Sequence, residues 1–211
     1  MRFVLPKDII VSSEDDNAIR LLSKIGIIRW LYQQRYVHTI EVLEKHISSQ
    51  KTCKILEIGC GSGILYPTLK YSGFYVGLDL HSRLNLIKEK LGGEYVKADL
   101  LHLPFRKKFD CIICLSVLEH IREIDSALGE IGKVASDRSL LIFGIPHDNM
   151  LIKVWFWLKK SPALKTHINS RKKLVSMIGK YFKIEGKRIS WLGPFPFYTI
   201  LVCRPLTQSR Q

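Results

Sequence analysis

The 211-residue chain has no apolar run approaching the roughly 20 residues that a bilayer-spanning helix requires. Its first eight residues, Met1 to Asp8, include Arg2, Pro6 and Lys7 and lack a long apolar core, so no secretory leader is expected. The expected location is the cytoplasm. Cysteine is scarce, at five residues, and does not form a disulfide framework. Cys111 and Cys114 make the one C-x-x-C, but both fall inside a predicted strand, Phe109 to Leu115. Positions three apart on a strand point to opposite faces, so the two read as buried small residues rather than metal ligands or a pair. No cluster with metal-ligand spacing is apparent, and no metal is expected. Acids are nearly missing from the last third: residues 151–211 hold 13 basic residues and one acid, Glu185. That third carries +12 of the formal +14, an asymmetry that concerns partners rather than fold.

What is present is a glycine-rich turn behind an apolar run: Lys54-Ile55-Leu56-Glu57-Ile58-Gly59-Cys60-Gly61-Ser62-Gly63. Ile55, Leu56 and Ile58 suit a strand buried on both faces of a parallel sheet. The glycines that follow permit backbone angles and close approaches that side chains forbid. A helix is expected from Ile64 to Tyr71, with Pro67 in its first turns. Strand, glycine loop and helix N-terminus together make a site where backbone approaches a nucleoside ligand. A second strand, Phe74 to Leu78, ends in Asp79, 20 residues after Gly59, the spacing of an acid that accepts from ribose hydroxyls. A third, Glu94 to Ala98, ends in Asp99, placed for an adenine amino group. Both acids could equally be helix caps or turn residues. Ile64 stands where G-x-G-x-x-G would have its last glycine, so the loop is tuned for something other than a dinucleotide pyrophosphate.

Around this centre the pattern alternates strand and helix, which implies a parallel sheet with right-handed crossovers. Helices are expected at Ser82–Leu91 and Ile121–Ala135, and a fifth strand at Ser139–Phe143. Before the core, Ser12-Ser13-Glu14-Asp15-Asp16 reads as a helix start, and an amphipathic helix is expected from about Ile27 to His46. After it, Met150 to Lys160 is apolar nearly all round. It reads as a lid, an interfacial helix or a buried connection. Asn169-Ser170 reads as the cap of a helix through Tyr181. An antiparallel pair, Phe182–Ile189 and Phe197–Cys203, follows.

The strings ILEIGCGSG, GLDL, ADLLHLPF and FDCIICLSVLEHI, in that order, resemble the class I S-adenosylmethionine-dependent methyltransferases, in the branch that methylates small molecules and lipids. The resemblance covers Lys51 to Ile145 closely. It implies a doubly wound Rossmann-like sheet of seven mostly parallel strands, the last antiparallel, with helices on both faces. It also implies one domain over residues 1–211: N-terminal helices at 1–50, a cofactor-binding core at 51–145, a substrate lid at 146–168 and a basic end of the sheet at 169–211. By position, the resemblance assigns Glu57 to ordering the loop around the methionine moiety. Gly59, Gly61 and Gly63 would line the cofactor through their backbone. Asp79 would hold the ribose with Leu80 beside the adenine. Asp99 and the Leu100 amide would face the adenine edge, and Ser116 would sit at the methionyl end.

Methyl transfer from a sulfonium is an in-line displacement whose activation the cofactor carries. The protein positions the acceptor and excludes water. A general base is needed only where the acceptor must lose a proton; His120, His147 and His167 are the candidates by location. No N/D-P-P-Y/F follows the fourth strand, and no Pro-Cys pair supplies the nucleophile of cytosine-C5 enzymes. The expected acceptor is small or lipid-linked, apolar or anionic. Peripheral contact with an anionic membrane, an RNA acceptor on the basic face, and a non-catalytic cofactor-binding subunit stay open. Oligomeric state is left unassigned.

Overall fold

The computed structural model describes residues 26–47, 53–69, 73–80, 82–147 and 168–206. The predicted helix start at Ser12–Asp16, the Met150–Lys160 stretch and the candidate base His167 lie outside them.

Helix α1 (Gly26–Ile47) precedes a sheet of seven strands. These are β1 (Lys54–Ile58), β2 (Phe74–Asp79), β3 (Glu94–Lys97), β4 (Phe109–Leu115), β5 (Ala135–Pro146), β6 (Phe182–Leu192) and β7 (Phe195–Pro205). Helices α2 (Leu84–Leu91), α3 (Ile124–Val134) and α4 (Arg171–Tyr181) fill the crossovers. The order is β3-β2-β1-β4-β5-β7-β6, with β1 to β5 paired parallel and β7 antiparallel to both neighbours. That is the expected sheet.

The strands read as apolar runs because both faces are covered. Ile55, Cys111, Ile113 and Ile142 join the α1 side with Tyr36, Ile40 and Leu43. Leu56, Ile112, Cys114 and Leu141 join the α3 and α4 side with Leu128, Ile131, Leu174 and Ile178. Cys111 and Cys114 thus lie on opposite faces of β4, and all five cysteines are free and buried. Burial of a Leu or Ile side chain at these positions stabilises the fold by about 1.5–3 kcal/mol each. Among the described residues no helix is long and apolar enough to cross a membrane.

Two local expectations need correcting. Between Ile64 and Leu69 the chain makes turns and a single 3-10 helix, Tyr66–Thr68, rather than an α-helix. Pro67 has no N–H to donate, and the bonds that do form span three residues, Thr68 N to Leu65 O at 3.0 Å and Leu69 N to Tyr66 O at 3.0 Å. At the start of α4, Ser170 alone is the cap, accepting from Lys173 N at 3.3 Å. Asn169 is buried and donates instead to the carbonyls of Leu118 (3.3 Å) and Ile121 (2.5 Å). It pins α4 to the loop after β4.

Candidate functional site

Strand order reverses between β1 and β4, and at such a switch point the loops diverge and leave a crevice at the carboxyl ends. A cavity of about 330 Å³ lies there. Its walls are Glu57 to Gly59 at the end of β1, Leu78 to Leu80 at the end of β2, Ala98 to Leu100 after β3, and Leu115 to Val117 with His120 and Ile121 after β4. Arg35 and Tyr36 of α1 complete it. A larger hollow, about 400 Å³, opens among His46, Asp110, Ser136 to Arg138 and Arg204 at the opposite end of the sheet. It holds none of the strand-end acids at Glu57, Asp79 and Asp99, so the smaller cavity is the candidate site.

The glycine loop is folded over the end of β2. Gly59 N and Cys60 N donate to Leu78 O at 2.7 and 3.1 Å. Gly61 N donates to Asp79 Oδ2 at 2.8 Å. Gly59 has φ +71°, and a Cβ there would come within 2.1 Å of Val117 Cγ2, so any side chain at this position is strained and must displace Val117. Gly59 lines the cavity, whereas Gly61 and Gly63 are not among its lining residues. A Cβ on Gly63 would collide with Ile87 of α2, at 2.6 Å.

Four carboxylates bear on the site differently. Asp79 sits at the cavity edge and steadies the loop through Gly61. Asp99 lines the cavity and also accepts from Leu101 N at 2.9 Å, capping the short 3-10 turn Leu100–His102. Glu57 is 3% exposed and accepts from the Tyr75 hydroxyl. Burial pushes its carboxyl up to about 8; the Tyr75 bond and the Arg35 charge oppose this, and Asp79 adds to it. Glu119, also buried, lies behind His120, whose Nε2 is 3.9 Å from its Oε1.

Leu80 is exposed at the rim and Leu100 is buried beneath. Ser116 adopts φ +58°, the one non-glycine among the described residues with positive φ, and its N–H donates to Gly144 O at 2.9 Å. His120 lines the cavity with its side chain 41% exposed. His147 does not line it. The imidazole is buried with Nε2 2.6 Å from Thr199 Oγ1, and its backbone N–H donates to Phe197 O at 2.8 Å. His147 therefore ties β5 to β7 and stands outside the lining of this cavity.

The structure adds residues that the sequence left unmarked. Arg35 donates from Nη2 to Tyr36 Oη at 2.7 Å and from Nη1 to Ser116 Oγ at 3.5 Å. Tyr198 of β7 reaches Ser116 Oγ at 2.8 Å. No signal in the sequence marks Arg35 beyond its place on an amphipathic helix.

Residues 56–143 match the methyltransferase-domain family. The ubiquinone biosynthesis O-methyltransferase of Rickettsia bellii is 25% identical over 126 residues, 56% of this chain and 52% of that protein. The tRNA (carboxymethyluridine(34)-5-O)-methyltransferase of Arabidopsis thaliana is 27% identical over 183 residues, 77% of this chain and 40% of that protein. The chain thus spans about half the length of the curated relatives it matches, or less. The solved structure of magnesium protoporphyrin IX methyltransferase from Synechocystis PCC 6803, with bound SAH, has the same fold. Its TM-score is 0.71 at 18% identity, covering 92% of this chain and 96% of that one. The matched segment, residues 56–143, is similar to a methyltransferase domain, runs from β1 into β5 and supplies most of the cavity's walls.

Proposed function

We propose that the chain binds S-adenosylmethionine in the cavity at the carboxyl ends of β1 to β4 and transfers its methyl group to a small-molecule or lipid-linked acceptor that is apolar or anionic. One observation carries the cofactor assignment. Two acids at successive strand ends, Asp79 and Asp99, share a cavity with a single positively charged side chain among its described lining residues, Arg35. That polarity matches a ligand with hydroxyls and an amino-substituted ring at one end and an amino-acid group at the other.

When bound, the cofactor supplies an activated methyl on a sulfonium. The protein's part is placement. Asp79 accepts from ribose hydroxyls, with Leu80 against one ring face; Asp99 accepts from the adenine amino group. The Gly59 backbone lets the ligand lie close to the end of β1. Arg35 faces the carboxylate, and Glu57 orders the loop beneath. His120 is the described histidine at the cavity and takes the proton if the acceptor is a hydroxyl.

The acceptor class rests on the basic end of the chain and on the relative that acts in ubiquinone biosynthesis. A second reading, transfer to RNA, has one specific observation behind it: the Arabidopsis tRNA methyltransferase aligns across 77% of the chain. The test is transfer of labelled methyl from S-adenosylmethionine to total lipid extract, polar metabolites and structured RNA in parallel. Label in lipid or in small molecules is the expected result. Label confined to RNA would move the acceptor to nucleic acid. Tight cofactor binding with no label anywhere would leave a non-catalytic subunit.

A further inference from the structure

Ser116 Oγ stands at the meeting point of two side chains from distant parts of the chain. Arg35 Nη1 approaches it at 3.5 Å from α1, and the Tyr198 hydroxyl at 2.8 Å from β7. Room for the tyrosine is cut into β5. A Cβ on Gly144 would fall 2.4 Å from Tyr198 Oη and 2.9 Å from its Cε1, so only glycine lets the ring pass and reach the loop after β4. A glycine inside a strand weakens it, and here it admits a partner.

Proton counting then fixes the direction of each bond. A guanidinium can only donate, so Ser116 Oγ accepts from Arg35. Tyr198 is 6% exposed, and burial pushes its phenol up, so it keeps its proton. The hydroxyl lies against Gly144, and Ser116 Oγ is its hydrogen-bond partner. Were the serine the donor, the phenol proton would be buried without an acceptor, which is costly. Tyr198 therefore donates. Ser116 Oγ has two lone pairs and one proton; with both lone pairs taken, the proton turns to the cavity that Ser116 lines.

We propose that Tyr198 is a positioning residue. It donates to Ser116, directs the serine O–H into the cavity beside the Arg35 guanidinium, and so completes a two-donor seat for the carboxylate at the amino-acid end of the cofactor. This rests on the cofactor reading above. It also means that β7, which supplies no wall of the cavity, takes part in binding through one hydroxyl.

The test is calorimetric binding of S-adenosylhomocysteine, which has the carboxylate, and 5′-methylthioadenosine, which lacks it. Wild type is compared with Tyr198→Phe, Ser116→Ala and the double variant. Tyr198→Phe keeps the ring in its Gly144 notch, so the fold stands. It is expected to weaken S-adenosylhomocysteine roughly tenfold and to leave 5′-methylthioadenosine unchanged. The double variant is expected to lose no more than Ser116→Ala alone, because both act on one proton. Equal losses for the two ligands, additive losses, or no loss would each overturn the positioning role. Wild-type protein that binds neither ligand would overturn the cofactor reading itself, and this inference with it.

Discussion

A carboxylic acid buried in the core of a site can be held in its neutral form, and Glu57 is held so. Its folded pKa, about 8, lies above the ordinary carboxylate value, with burial as the leading cause. Below the ordinary value the acid is neutral in both the folded and unfolded chain, and its burial adds no ionisation penalty. Between that value and about 8 the unfolded chain releases the proton while the folded one keeps it, so stability falls as pH rises. Thermal melts from pH 5 to 8 should therefore show wild type losing ground to Glu57→Gln, by on the order of a few kcal/mol at the top of the range. Parallel melting curves would remove the neutral acid. Asp79→Ala should lose cofactor affinity by at least about tenfold with the fold retained, since it removes an acceptor at the cavity and the 2.8 Å tie to Gly61. Unchanged affinity would sink the ribose assignment. These acids were legible because strand ends can be read from apolar runs, and a side chain at a strand end in a parallel sheet points to the crevice. Arg35 and Tyr198 were not legible. They meet Ser116 from 81 and 82 residues away, and only the α1 packing and the β5–β7 register bring them there.

Elements were read well where periodicity ruled and less well where single residues did. The β4 bounds, Phe109–Leu115, match the expectation, because a continuous apolar run bounded by charge has one buried solution. Strand β5 begins four residues earlier than expected, at Ala135, and ends three residues later, at Pro146. Its added ends pair with Phe109 of β4 and Tyr198 of β7, which are tertiary partners that no local window contains. The missing helix after the glycine loop is the clearest local miss, since apolar spacing cannot register the N–H that Pro67 lacks. Within that loop the glycines are not equivalent. Gly59→Ala meets both a left-handed backbone and the Val117 side chain, whereas Gly61, at φ +51°, has open space where its Cβ would go. Melting temperatures should fall clearly further for Gly59→Ala than for Gly61→Ala, whose cost is backbone strain of about 1 kcal/mol. Equal losses would mean that strain alone governs the loop.

At the scale of the molecule, charge and chemistry are separated along the chain. The matched core spans 56–143, while the cations concentrate beyond it. On β6 and β7 part of that charge is already answered: Arg188 meets Glu41 at 2.6 Å, and Lys183 and Arg204 share Glu185 at 3.4 and 3.5 Å. On α4, Lys172, Lys173 and Lys180 are exposed, and of these Lys173 donates to Asn169 Oδ1 at 2.9 Å, so the charge of the helix faces solvent and attracts anions at long range. Vesicles containing anionic lipid should bind the protein at low salt and release it steeply as salt rises, while cofactor affinity stays nearly constant. Displacement of the vesicles by structured RNA would assign the face to nucleic acid, and no binding to either would restrict it to soluble anions. The sequence disclosed the charge but not its geometry, because ion pairs such as Arg188 with Glu41 join residues 147 apart.

The five buried thiols have a use that owes nothing to chemistry in the cell. They lie before β1, in the glycine loop, on both faces of β4 and in β7, and burial makes them poor thiolates in the closed protein. Each can be alkylated only when its own part of the chain opens. Rates of modification, resolved cysteine by cysteine by mass spectrometry, would therefore chart the local opening of the native protein without a single engineered label.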